Sequence, residues 1–178
     1  MSFPAVVIGA SGYVGGELLR LFAGHPLFEL KAAVSDSAAG KPIGDLSAHL
    51  ATALAGHTFV AHAEWLDHVD DDSDLALFSA APHGASAAML ANAISACEGK
   101  GINVHVVDSS ADFRFAKQDD WEAVYKLEHG APALLDRFLC ALPEHVGDAD
   151  VPHVGHPGCF ATASTLATVP LICSGLTE

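Results

Sequence analysis

The feature that most constrains the fold is a run of spaced glycines between a short apolar run and a segment with helical spacing. Residues 3–8 are rich in β-branched side chains, which predicts a strand, and Val14, Leu18 and Leu21 predict a helix directly afterwards. Glycines allow close backbone approach, and the start of a helix offers free N–H groups to a pyrophosphate. We therefore expect a dinucleotide-binding loop, with a tight structural turn as the alternative. Its cofactor-binding residues are predicted to be Gly9, Ser11, Gly12, Tyr13, Val14 and Gly15.

Beyond this loop, apolar runs alternate with helical patterns. Further strands are predicted at 28–34, 57–63, 75–80 and 102–107, and further helices at 85–97 and 121–129. This alternation indicates an α/β fold, a Rossmann-type doubly wound parallel sheet covered on both faces. Residues 132–145 are predicted to be irregular. Cys159 is predicted to open an apolar helix that is interrupted at Pro170.

Charge and composition exclude several classes of partner. The 178 residues hold 22 Asp and Glu against 8 Lys and Arg, a formal net charge of −14. Nucleic acids and anionic membranes are bound by basic patches, so neither partner is expected. The apolar fraction of 51% is too high for a disordered chain. Export signals and closely paired cysteines are both absent from the sequence, which predicts a reduced cytoplasmic protein.

The end of the second predicted strand bears on the choice of nucleotide. Asp36 stands about twenty residues past the glycines, where an acid usually binds the ribose 2′-hydroxyl of NAD. Ser35, Ser37 and Lys41 could instead hold the 2′-phosphate of NADP. These residues alone leave both cofactors open.

The second informative feature is a cysteine at the start of the last predicted helix. Pro157 and Gly158 form a turn, and Cys159 follows where backbone N–H groups and the helix dipole stabilise a thiolate. The same N–H groups suit an oxyanion or a phosphate. Cys159 is therefore a candidate nucleophile, and a small cysteine buried in a turn is the alternative.

The remaining cysteines and the histidines near Cys159 are assigned to structure. His145, His153 and His156 precede Cys159 at short spacings, but Pro157 indicates a rigid turn and no second Cys/His pair completes a zinc pattern. No metal site is predicted. The cysteines expected to pack in the core are Cys97, Cys140 and Cys173.

Together these motifs resemble the N-acetyl-γ-glutamyl-phosphate reductases of arginine biosynthesis, within the semialdehyde dehydrogenase family. The shared segments, in order, are Gly9–Gly15, Ala81–Gly84, Val107–Arg114, Leu142–Glu144 and Pro157–Cys159. The resemblance runs from about residue 6 to residue 176. It implies a dinucleotide-binding domain over 1–155. It also implies that 156–178 begin an α+β catalytic and dimerisation domain, whose first apolar helix would leave hydrophobic surface exposed.

The resemblance also implies a covalent mechanism. A Cys159 thiolate would attack the acyl phosphate, and NADPH would reduce the resulting thioester to a semialdehyde. Arg114 would clamp an anionic group of the substrate, with a structural ion pair as its alternative role. Further cofactor contacts are implied for Pro82 and His83. Further substrate contacts are implied for Ser110, Glu144 and His156.

Three features differ from the family's pattern. His156 stands where the family commonly has Asn, and Asp36 stands where it usually has a basic residue. The family's general-base histidine has no counterpart here. His156 is the local alternative as base. We therefore expect the chain alone to bind nucleotide with little turnover, and the full-length protein to be a homo-oligomer.

Two further functions stay open at this point. One is a non-catalytic nucleotide-binding module of the same fold, because a fold does not determine a function. The other is a reductase of succinylglutamyl or carrier-linked aminoadipyl phosphates, since the same thiolate chemistry suits these substrates. Small-molecule acyl phosphates are the partners expected in either reductase.

Overall fold

A seven-stranded parallel sheet forms the centre of the protein. The computed structural model describes residues 2–147 and 150–176. In chain order the strands are β1 (Phe3–Ile8), β2 (Phe28–Val34), β3 (Phe59–Val60), β4 (Asp74–Ser79), β5 (Asn103–Asp108), β6 (Phe138–Cys140) and β7 (His153–Gly155). Their order across the sheet is β3-β2-β1-β4-β5-β7-β6, and every adjacent pair is parallel. The predicted α/β class is confirmed.

Within the described residues, five α-helices connect or follow these strands. They are α1 (Tyr13–Phe22), α2 (Ile43–Leu46), α3 (Ser86–Gly99), α4 (Gln118–Tyr125) and α5 (Cys159–Cys173). Short 3₁₀ turns fill several connections, at Asp36–Ala38, Ala48–Leu50, Trp65–His68 and Pro132–Arg137. Within the described ranges, no helix is both long enough and apolar enough to cross a membrane.

Two apolar cores lie on opposite faces of the sheet. Successive side chains of a strand point to opposite faces, so Val6 and Ile8 of β1 enter one core and Ala5 and Val7 enter the other. The first core packs against α3 and the second against α1. Burial on both faces explains why the central strands are almost continuously apolar.

The chain order places a crevice between β1 and β4. The chain leaves β1 towards β2 on one side, and later returns to build β4 and β5 on the other side. Such a reversal separates the loops at the carboxyl ends of the two strands, and ligands of α/β proteins bind there. Gly9 follows β1 and Ala80 follows β4, so the glycine loop lies at this crevice.

The buried face of α1 differs from the predicted one. Val14 and Leu21 are exposed, whereas Gly15, Leu19 and Phe22 face the sheet. Both sets have helical spacing, so periodicity alone could not choose between them. The close contact of Gly15 with the loop after β1 decides how the helix is rotated.

The other differences lie in the second half of the chain. The helix predicted at 121–129 begins three residues earlier and ends at Tyr125, because Lys126 adopts a left-handed conformation with φ of 57°. The segment expected to be irregular, 132–145, contains β6, and no strand was predicted at β7; both strands are too short to show a period. The predicted break at Pro170 is wrong: α5 continues to Cys173. That proline removes one N–H donor, and solvent can satisfy the freed carbonyl on this exposed helix.

The last helix lies on the outside of the molecule. None of the 15 residues of α5 is buried, and Phe160 is 87% exposed. The prediction of exposed apolar surface on this helix is confirmed. Cys173 and Cys140 are exposed rather than packed in the core, because one lies on α5 and the other at the end of the edge strand β6. Cys97 is buried, as predicted.

Candidate active site

The glycine loop packs so closely that Gly9 and Gly15 have no room for a side chain. Gly9 has a φ of 74°, and a Cβ there would lie 2.7 Å from the carbonyl oxygen of Ala80. A Cβ on Gly15 would overlap the carbonyl oxygen of Gly9. Gly12 is the N-cap of α1, and no side chain caps this helix. The first backbone N–H groups of α1 therefore have no helical partner and remain available to an anion.

A cavity of about 370 Å³ opens beside this loop. It is lined by Ile8, Gly9, Ser11, Gly12, Val34, Ser35, Asp36, Ser37, His62, Ala80, Pro82 and Met89. The structure thus brings together most of the predicted cofactor residues. Tyr13 and Val14 have exposed side chains and could contribute through their backbone N–H groups. His83 and Lys41 do not line the cavity.

Three serine hydroxyls connect the glycine loop to the end of β2. The Oγ atoms of Ser11 and Ser35 lie 2.6 Å apart, and those of Ser35 and Ser37 lie 3.3 Å apart. The free N–H groups, the glycine loop and these hydroxyls suit the pyrophosphate and ribose of a dinucleotide. The residues present therefore fit such a cofactor.

The far end of the cavity carries an acid. Asp36 begins the 3₁₀ turn after β2, and its Oδ1 accepts a hydrogen bond of 2.7 Å from the backbone N–H of His62. The ring Nδ1 of His62 is buried, with no hydrogen-bond partner in the part of the chain that the structure describes. Sequence analysis missed His62, because nothing in its local pattern shows that β3 brings it to Asp36.

Hydrogen bonds join the loops that follow β4 and β5. Asp112 accepts from the N–H groups of Gly84 at 2.8 Å and Ala87 at 2.9 Å, which places its carboxylate at the start of α3. The Nδ1 of His83 accepts from the N–H of Ala111 at 2.9 Å. In neutral His83 the proton is therefore on Nε2. Sequence analysis missed the role of Asp112, although this residue lies inside the Val107–Arg114 segment.

The end of β5 is organised by a second buried carboxylate. Asp108 accepts from Ser86 Oγ at 2.7 Å and from both the hydroxyl and the N–H of Ser110. Burial raises the pKa of Asp108, and these hydrogen bonds oppose that change. Ser110 is itself buried, and its hydroxyl also accepts from the N–H of Asp112. The predicted substrate contact, Ser110, thus uses its hydroxyl within the loop.

Arg114 lies against the turn that precedes α5. Its Nε donates to the carbonyl oxygen of His156 at 3.1 Å, and its Nη1 lies 3.5 Å from the hydroxyl of Tyr125. Gly158 has a φ of 100°, and a Cβ there would lie 2.9 Å from the guanidinium carbon. Within the described residues no carboxylate pairs with Arg114, so the alternative of a structural ion pair is not observed.

His156 supports the start of α5. Its backbone N–H donates to the carbonyl oxygen of Asp108 at 2.8 Å, its Nδ1 accepts from Gly158 at 3.1 Å, and its Nε2 lies 3.3 Å from Thr162 Oγ1. Burial and the positive charge of Arg114 lower the pKa of His156. Because one ring nitrogen contacts the turn and the other contacts α5, His156 is poorly placed to act as the general base.

Cys159 is the first residue of α5, directly after this turn, and its side chain is exposed. In this chain Cys159 is therefore not buried in the turn. Glu144 is exposed in the turn after β6, at the same carboxyl edge of the sheet. Among the described residues, no hydrogen bond or ion pair connects Glu144 to Arg114 or Cys159.

The histidines near Cys159 do not assemble a metal site. Over 2–147 and 150–176, no group of three or more His, Cys, Asp or Glu residues could hold a metal ion. His153 is fully buried in β7, where its Nδ1 accepts from the N–H of Val106 at 3.3 Å. Burial, with a smaller contribution from Arg137, lowers the pKa of His153 to about 4.

Comparison with known proteins decides the family. A family model described as the NAD-binding domain of semialdehyde dehydrogenase matches residues 4–160. The chain belongs to this family. The matched range contains the glycine loop, the cavity, Asp112, Arg114 and Cys159. A nicotinamide nucleotide is therefore the cofactor of this semialdehyde dehydrogenase domain.

Curated relatives resemble the semialdehyde dehydrogenase domain over almost its full length. The putative LysW-L-2-aminoadipate/LysW-L-glutamate phosphate reductase of Aeropyrum pernix is 36% identical over 98% of this chain and 47% of its own length. The N-acetyl-γ-glutamyl-phosphate reductase of Pseudomonas aeruginosa is 35% identical over 97% of this chain and 48% of its own length. The chain thus spans about half the length of these relatives. The crystal structure of aspartate semialdehyde dehydrogenase with NADP from Candida albicans has a TM-score of 0.47 and 23% identity, covering 66% of this chain and 32% of that one.

Proposed function

We propose that this domain serves an enzyme that reduces an acyl phosphate to an aldehyde, with Cys159 as the nucleophile. The observation that carries the proposal is the exposed Cys159 at the start of α5, next to the turn that accepts a hydrogen bond from Arg114. In the part of the chain that the structure describes, Arg114 has no acidic partner. The names of the relatives support the class of substrate. The proposed substrate is N-acetyl-γ-glutamyl phosphate, which would yield N-acetylglutamate semialdehyde in arginine biosynthesis.

The proposed first step is an acyl transfer to sulfur. The thiolate of Cys159 attacks the carbonyl carbon, a C–S bond forms, and the C–O bond to phosphate breaks with its electron pair leaving on phosphate. Backbone N–H groups at the start of α5 are suited to the negative charge that develops on the carbonyl oxygen. Arg114 binds an anionic group of the substrate, and Gly158 allows its guanidinium to reach the turn.

The proposed second step reduces the thioester. A bound reduced nicotinamide supplies the hydride. Hydride addition to the thioester carbonyl and cleavage of the C–S bond release the aldehyde and regenerate the Cys159 thiolate. The glycine loop would hold the pyrophosphate. Asp112 and His83 would maintain the loops that border the nicotinamide end of the crevice.

The resemblance implies NADPH as the hydride donor. The hydroxyls of Ser35 and Ser37 support this form, since they line the cavity and could donate to a 2′-phosphate. Lys41 supports NADPH only by its positive charge, because its exposed side chain does not line the cavity. Asp36 opposes it, since a carboxylate repels a phosphate.

We also propose a division of the chain at residue 155. Residues 1–155 would form the nucleotide domain, and 156–178 would begin the catalytic and dimerisation domain. The absence of any buried residue in α5 supports this division, because an apolar helix is expected to pack against other residues. The general base would come from outside these residues, since His156 is engaged in the turn. Assembly into a homo-oligomer and a cytoplasmic location stay predictions.

A second substrate class is favoured by the comparisons. The Aeropyrum pernix relative is named for substrates linked to LysW, so a carrier-linked aminoadipyl or glutamyl phosphate is the second candidate. The thiolate chemistry would be unchanged. Turnover of the acetylated, succinylated and carrier-linked acyl phosphates, compared side by side, distinguishes these substrates.

The proposal is tested by phosphate-dependent reduction of the oxidised nucleotide by the semialdehyde. The assay uses this chain joined to the remaining part of the Pseudomonas aeruginosa relative, because the chain alone is expected to turn over little. Cys159→Ser is expected to abolish turnover, whereas the matched variant Cys140→Ser is expected to retain it. Unchanged activity in Cys159→Ser would contradict the assignment of Cys159 as the nucleophile. Nucleotide binding without turnover by any of these substrates would favour the non-catalytic module.

A further inference from the structure

The charges around the cavity differ sharply from those that a 2′-phosphate requires. Among the described residues that line the cavity, none is Lys or Arg, and Asp36 is the one carboxylate. Lys31 and Lys41 lie equally near to Asp36 along the chain, and neither lines the cavity; the side chain of Lys41 is exposed. A 2′-phosphate placed at this end would meet a negative charge without a basic residue of the lining to neutralise it.

The carboxylate of Asp36 is also held in place. Its Oδ1 accepts from the backbone N–H of His62 at 2.7 Å, while Oδ2 has no hydrogen-bond partner within the described residues. A ribose 2′-hydroxyl can donate to such an oxygen, whereas a phosphate dianion has no proton to donate at neutral pH. NADH, with its 2′-hydroxyl, therefore gains a hydrogen bond from Asp36, whereas the 2′-phosphate of NADPH is repelled by the same carboxylate.

The buried ring atom of His62 adds an independent observation. Its Nδ1 has no partner among the described residues, although buried polar atoms are usually hydrogen-bonded. His62 lines the cavity next to Asp36, and its backbone N–H holds that carboxylate in place. The two residues thus form one recognition element at the ribose end.

We infer that Asp36, held by His62, makes NADH rather than NADPH the preferred nucleotide of this cavity. This inference rests on the proposed nicotinamide-dependent function, and it replaces the NADPH that the family resemblance implies. Repulsion across about 5 Å at a partly solvated site is expected to weaken NADPH binding about tenfold to a hundredfold relative to NADH.

The test is calorimetric titration of the 178-residue chain with NADH and with NADPH. Asp36→Asn removes the charge and retains an oxygen that can accept from His62. It is expected to bring the two affinities within about threefold of each other, mainly by strengthening NADPH binding. Asp45→Asn, which removes an exposed acid outside the cavity, is the matched control and is expected to leave the ratio unchanged. Thermal unfolding checks that the variants remain folded, and Asp36→Ser provides a second substitution.

Each outcome separates the inference from the proposed function. Tighter NADH binding that depends on Asp36 supports the inference. Equal or tighter NADPH binding overturns it and leaves the reductase proposal standing, and Lys41→Gln then shows whether that lysine supplies the missing charge. A preference for NADH that survives both Asp36 substitutions overturns the role of Asp36. Failure of both nucleotides to bind the folded chain contradicts the proposed function and, with it, the inference.

Discussion

Acid should destabilise this domain through one buried histidine in β7. His153 is fully buried, its ring lies 4.9 Å from that of Phe138, and its pKa is lowered from 6.5 to about 4. Between these values the unfolded chain binds a proton that the native chain does not, so stability falls as the pH falls through this window. Above pH 6.5 this contribution is fully present.

The size of the effect follows from the two pKa values. Moving from above pH 6.5 to below pH 4 is expected to remove about 3 kcal/mol from the free energy of unfolding. At pH 5.5, still above the isoelectric region, the expected loss is about 1.4 kcal/mol. The perturbation is His153→Asn, because asparagine does not titrate and its oxygen can accept from the N–H of Val106.

The assay is urea unfolding followed by tryptophan fluorescence at pH 7.5 and pH 5.5. The wild-type chain should lose about 1.4 kcal/mol more than His153→Asn between these two pH values. Any constant offset caused by the smaller asparagine cancels in this difference. The exposed residue His57 provides a control, since His57→Asn should behave as the wild type does. Equal losses in the wild type and in His153→Asn would refute the assignment.

Four further substitutions test the glycine loop, the substrate-binding Arg114 and the hydrogen bonds of Asp112. Gly12→Ala should change stability by less than about 1 kcal/mol, since its Cβ meets only the Gly9 oxygen at 3.4 Å, yet calorimetry should show at least tenfold weaker nucleotide binding. Gly15→Ala should instead lower the free energy of unfolding by several kcal/mol, because its Cβ would overlap the backbone. An unfolding free energy equal to that of the wild type would contradict this. Arg114→Lys should raise KM at least tenfold in the turnover assay, because lysine lacks the planar fork. Asp112→Ala should cost about 2–3 kcal/mol in thermal unfolding, because two N–H donors lose their acceptor.

The central part of the fold could be predicted because its strands are buried on both faces. β1 and β4 are largely apolar runs, β2 and β5 alternate apolar with polar residues, and each was located to within a residue or so. β6 and β7 were missed because three residues are too few for a period. Only their parallel pairing with each other and with β5 identifies them as strands.

The candidate site was predictable where chemistry depends on local sequence. The glycine loop and Cys159 are recognisable because a turn before a helix makes an anion site from neighbouring residues. The contacts of Asp36 with His62, and of Arg114 with the His156 carbonyl, join residues 26 and 42 positions apart. No local pattern encodes such pairs, so the structure was needed to find them. The structure was also needed to show that the hydroxyl of Ser110 donates to Asp108.

The covalent chemistry assigned to Cys159 can be measured directly by mass spectrometry of the acylated chain. We expect incubation with N-acetyl-γ-glutamyl phosphate to add one acyl group to the peptide containing Cys159, with release of one phosphate per acyl group. Cys159→Ser should remain unmodified, and the other exposed cysteines, Cys140 and Cys173, should not be acylated. Acylation that is absent from Cys159, or equal at all three cysteines, would contradict the proposed mechanism.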